Sequence, residues 1–141
     1  METCATVLPP NFLTKLERHE HAVRVEGVVA ERAGLSLRRL LVVAKPYMTR
    51  RGYATGRKVW PQVALSMQCE QISPEDYFAR ETDPERTLQA VIGDLHRIMI
   101  YPALGFQIEQ TVPAEVMVAM RRLVEAGYGK RLLPGHPLSP G

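Results

Sequence analysis

Apolar positions along the chain recur mostly at helical spacing, broken by glycines and prolines into short segments. Pro9-Pro10 closes an expected flexible arm over residues 1–10, and Asn11 can cap a helix that places Phe12, Leu13 and Leu16 on one side. Residues 22–29 fit two patterns. Val23 and Val25 alternate as in a strand, whereas Val25, Val28, Val29 and Arg32 fit a helix. The helix is favoured because residues 30–33 continue it and Gly34 can end it. After the Gly34-Leu35-Ser36 turn, Leu37, Leu40, Leu41 and Ala44 form a second stripe that Pro46 should stop. Gly34, Gly52 and Gly56 punctuate the chain, and Thr49–Lys58 (TRRGYATGRK) is expected to be a basic loop.

Farther on, Val63, Leu65, Met67 and Cys69 alternate like a strand, while Pro61 and the helix formers around it favour a helix over 61–71. The helix is the expectation and the strand its alternative. Ser73-Pro74-Glu75 and Asp83-Pro84-Glu85 are both helix starts, with a cap, a proline and an acid in order. The second opens a stripe of Leu88, Val91, Ile92, Leu95, Ile98 and Met99. Pro113 begins a last helix with Val116, Ala119, Met120 and Leu123 inward, ended by Gly127 and Gly129. The reading is an all-α fold, a bundle of six or seven helices with a helix-turn-helix-like unit near residues 23–45. It forms one domain over residues 11–133, and residues 134–141 are an expected disordered tail.

Charge changes this picture. Residues 32–69 contain no Asp, Glu or His, yet hold 8 of the chain's 18 Lys and Arg residues and none of its 15 acids. A basic block in an acidic frame points to a polyanion partner, with nucleic acid the first candidate. Ser36 would cap the second helix of the unit, and Arg38 and Arg39 near its start would reach base edges or phosphates. Lys45, Arg50, Arg51, Arg57 and Lys58 would grip the DNA backbone. A solvated face or a surface docking an acidic protein accounts for the same charges. Tyr47, Tyr53 and Trp60 among them leave single-stranded nucleic acid or RNA as a further alternative.

Three stretches resemble the FlhC family, the C subunit of the bacterial flagellar master transcription activator. They are Gly34-Leu35-Ser36-Leu37-Arg38-Arg39-Leu40; then Val63-Ala64-Leu65-Ser66-Met67-Gln68-Cys69, followed by Ala90-Val91-Ile92 and Arg97; and lastly Leu123-Val124-Glu125-Ala126-Gly127. The resemblance covers most of residues 20–133 and implies an activator subunit that binds double-stranded DNA with a helical partner subunit. The family's four-cysteine zinc site has no counterpart after Arg131-Leu132-Leu133, so zinc is not carried over.

No other chemistry is nominated. Cys4 and Cys69 are far apart, which argues for a reducing cytoplasm over a disulfide framework. His19 and His21, two apart, would face different ways on a helix, and His96 flanks an apolar stripe as a structural histidine would. No catalytic residue, metal ligand or cofactor site is expected, nor is a membrane span. The expectation is a cytoplasmic DNA-binding transcription regulator or accessory subunit, not an enzyme, with a helical partner or a second copy. The alternative is a protein-interaction subunit.

Overall fold

A computed structural model describes residues 38–138. The expected arm, the first helix, the first half of the helix-turn-helix unit and Ser36 lie outside the described residues. Within them the order is β1 (Arg39–Val43), α1 (Thr49–Val59), β2 (Ala64–Gln68), α2 (Pro74–Arg80), α3 (Pro84–Ile100) and α4 (Ala114–Leu123). A 3₁₀ turn, Pro46–Met48, leads into α1, and a π-helical turn, Val124–Tyr128, widens the end of α4. No helix among the described residues is long and apolar enough to cross a membrane.

The all-α bundle of six or seven helices is therefore corrected to four helices and a two-stranded parallel sheet among the described residues. The expected second helix of the helix-turn-helix unit is strand β1. Its Leu40, Leu41 and Ala44 meet helical spacing, but β-branched Val42 and Val43 suit a pleated strand, and pairing with β2 decides the outcome. Residues 61–71 are likewise not a helix. Their period-2 alternation is that of β2, in register Leu40↔Leu65 and Val42↔Met67. The expected basic loop is helix α1.

A helix with two internal glycines needs a reason, since each costs about 1 kcal/mol relative to alanine. The sheet supplies it. A Cβ at Gly52 would lie 2.8 Å from Met67 Cε, and one at Gly56 would run into Leu65 Cδ2. The glycines let α1 lie close on the inner face of the sheet, completing a βαβ unit. Opposite the sheet, α1 packs on α3, whose Ile92 and Ile98 join Ala54, Val63 and Met120 in the apolar core. The loop after α3 is stitched to the same helix. Ile108 N–H donates to the Ala54 carbonyl at 3.1 Å, and Gln107 Nε2 donates to Thr55 Oγ1 at 3.2 Å. A helix whose residues are mostly polar is thus the hub of the fold.

The starts of α2 and α3 lie where their sequence signals put them. Ser73 Oγ accepts from the Asp76 amide at 3.1 Å and Asp83 Oδ1 from the Arg86 amide at 2.9 Å, each ahead of a proline in the first turn.

Candidate functional site

The basic block is divided by the fold between the two ends of the βαβ unit and its interior. At the end where the strands begin, the Ala64 amide donates to the Arg38 carbonyl at 2.9 Å, which sets Arg38 and Arg39 beside the start of β2. Because α1 runs back against the strands, its last turn arrives at the same end with Arg57 and Lys58. Arg57 Nη1 donates to the carbonyls of Pro61 and Val63, both at 3.1 Å, and ties the turn into β2. Cations in the final helical turn also complement the partial negative charge of its carbonyls. Arg38, Arg39 and Lys58 remain exposed, and none makes an ion pair with a described residue. Half-buried Trp60 follows α1 at this end.

The other cations of the block among the described residues are occupied. Lys45 lies 3.5 Å from Glu81. Exposed Arg50 donates to Gln110 Oε1 at 3.1 Å and to the Thr111 carbonyl, and Gln110 returns a bond to the Arg50 carbonyl. Arg51 is only 6% exposed, and its Nε lies 2.9 Å from Oδ2 of Asp94, itself 7% exposed. The N–H is not well aligned on that oxygen, so proximity of charge holds the pair more than hydrogen-bond geometry does. Burial pushes the Asp94 carboxyl up, against the pull of Arg51, Arg97 and Arg131. Arg51 thus serves the interior and is withdrawn from any DNA-gripping surface.

Around the ends of β1 and α2 lies a polar cluster that sequence patterns did not single out. Glu81 accepts from Thr87 Oγ1 at 2.9 Å, and this bond, with Lys45 nearby, holds its carboxyl below the usual range. Burial, and then the negative charge of Glu81, pushes the Tyr77 hydroxyl up. Burial raises Tyr47 as well, with Asp94 and Glu81 adding to it. The rings of Tyr47 and Tyr77 meet edge to face at 6.5 Å. These are contacts that pin the turn before α1 to α2 and α3. Among the described residues no group of three or more His, Cys, Asp or Glu residues could hold a metal ion.

The outer face of the sheet is exposed among the described residues. Leu41 and Val43 are 52% and 62% accessible, beside Arg39, Ala64, Ser66 and Gln68. Tyr53 is exposed on α1 at mid-helix, and Tyr47 is half-buried against Tyr77, so neither stacks with Trp60 in one platform.

In sequence, the chain is 34% identical over 112 residues to an uncharacterized protein of Streptomyces coelicolor, a match spanning 79% of this chain and 51% of the relative. The chain thus spans about half the length of the curated relative it matches. No protein-family model matches the chain, and no solved structure matches it significantly.

Proposed function

We infer that the chain is a nucleic-acid-binding accessory protein whose contact is the basic end of the βαβ unit. The observation that carries this is the convergence of Arg38 and Arg39 with Arg57 and Lys58, brought together from two segments at the start of the strands. Three of these four are exposed, in a stretch without a carboxylate. Phosphate is the group such a cluster suits, because Arg and Lys heads on short elements track a backbone without reading bases. With β1 in place of a recognition helix, insertion of that helix in the major groove is no longer part of the proposal.

The test is fluorescence anisotropy with a random-sequence duplex across a salt series. Each phosphate neutralised contributes a log–log slope of about −0.9. Replacing Arg38, Arg39 and Lys58 together by Ala should flatten the slope by about 3 × 0.9 and weaken all sequences alike. Absence of binding at low salt overturns the reading.

Exposed Leu41 and Val43 beside Arg39 favour a second reading, a subunit whose sheet face docks an acidic, partly apolar segment of another protein. In that case the triple variant would leave duplex binding unchanged, and Leu41→Lys would abolish capture of the partner.

A further inference from the structure

The C-terminal segment from Gly129 to His136 crosses one polar face of α3 and is held there through the side chains of Gln89, His96 and Arg97. Gln89 Oε1 accepts from the Lys130 amide at 3.0 Å, and Gln89 Nε2 donates to the Gly127 carbonyl at 3.4 Å. Arg97 Nη1 donates to the Arg131 carbonyl at 3.2 Å and to its own helix at Gly93. Gly93 makes the crossing possible, since a Cβ there would sit 2.9 Å from the Arg131 carbonyl oxygen. The bond made by His96 is of a different kind. His96, with no exposed surface, accepts from the Leu133 amide through Nδ1 at 3.0 Å.

An imidazole nitrogen accepts a hydrogen bond only while it is unprotonated, and both nitrogens of the imidazolium are donors. Protonation of His96 would therefore turn Nδ1 against the Leu133 N–H it now receives. The new charge would be fully enclosed, with Arg97 on α3 and His136 on the crossing segment as the charges acting on it. Neither is an anion. Asp94, two residues back on α3, is committed to Arg51 of α1. The backbone at His136 favours the charged form, but Nε2 makes no full hydrogen bond there or with any other described residue.

We propose that His96 makes this segment an acid-released strap, closed over the Gly93 groove of α3 when the imidazole is neutral and let go when it takes up a proton. Burial, Arg97 and His136 depress the His96 pKa below its ordinary value of 6.5. The strap is therefore closed at neutral pH. Its release belongs to mildly acidic conditions, independently of the nucleic-acid reading.

Amide hydrogen exchange on the whole chain reads the strap directly, with protection factors corrected for the intrinsic pH dependence of exchange. Between about pH 7.5 and pH 5, protection at Leu133 and Lys130 should fall at least about tenfold while that at Ile92 and Met120 holds. His96→Gln, which keeps an acceptor that does not titrate, should make the strap amides indifferent to pH. His136→Gln should leave the transition in place. The ring signals of His96 in the unaltered protein should titrate together with the loss of Leu133 protection, whether or not the His96→Gln protein folds. Constant strap protection over this range with an intact core overturns the proposal, as does the same loss of protection in the folded His96→Gln protein.

Discussion

A methyl group added at Gly56 would meet the Leu65 side chain, and one added at Gly52 would meet the flexible end of Met67. Helix propensity alone would make either Gly→Ala change stabilising by about 1 kcal/mol. Packing reverses that sign at Gly56, where the helix must lift from the sheet or Leu65 must leave its rotamer. Gly56→Ala should lower stability by about 1–3 kcal/mol, the usual range for overpacking. Gly52→Ala should be nearer neutral, because the Met67 methyl can swing aside. Urea denaturation midpoints of the two variants check the order, and a stabilised Gly56→Ala protein would show that α1 does not lie so close.

At the scale of elements, α1 and α3 are joined by one ion pair between buried side chains, Arg51 with Asp94. Asp94→Asn or Arg51→Met alone strands an enclosed charge or its partner and should cost about 3–5 kcal/mol. The double change Arg51→Met with Asp94→Leu should recover much of that loss, and a double-mutant cycle by chemical denaturation measures the coupling. The pair also shows what the sequence could convey. The caps at Ser73 and Asp83 are local, three residues from cap to amide, so α2 and α3 were legible. Strand β1 was not, and β2 was legible only as the alternative to the expected helix over 61–71. Leu40 and Leu41 satisfy helical spacing as well as a strand does, and only β2, whose residues lie 25 positions later in register, selects between them. Glycines 52 and 56 read as loop punctuation because their real constraint, contact with Leu65 and Met67, is likewise distant in sequence. The candidate cations were visible as a charge block. Their division was not, since Asp94, Gln110 and Glu81, which occupy Arg51, Arg50 and Lys45, all lie outside it.

For the molecule as a whole, the polar cluster around Glu81 sets an alkaline limit. Tyr47 and Tyr77 both hold their protons above the ordinary value of 10, first through burial and then through nearby carboxylates. The folded chain therefore binds more protons than the unfolded one as pH climbs past 10, so stability present below that value is lost above it. Ultraviolet titration should show Tyr47 and Tyr77 ionising late, together with loss of the far-ultraviolet helix signal. Ionisation of Tyr47 and Tyr77 at the ordinary value with an unchanged helix signal would contradict the burial of these two rings. The open sheet carries a different consequence. Among the described residues β1 pairs with β2 alone, so the alternating ladder leaves the backbone groups of Leu41 and Val43 unpaired along one edge, beside two well-exposed apolar side chains. Such an edge is a template for self-association, and natural sheets commonly guard it with charge. Arg39 at one end of the Leu-Leu-Val-Val run and Lys45 just past the other stand where natural sheets place the charges that guard such an edge.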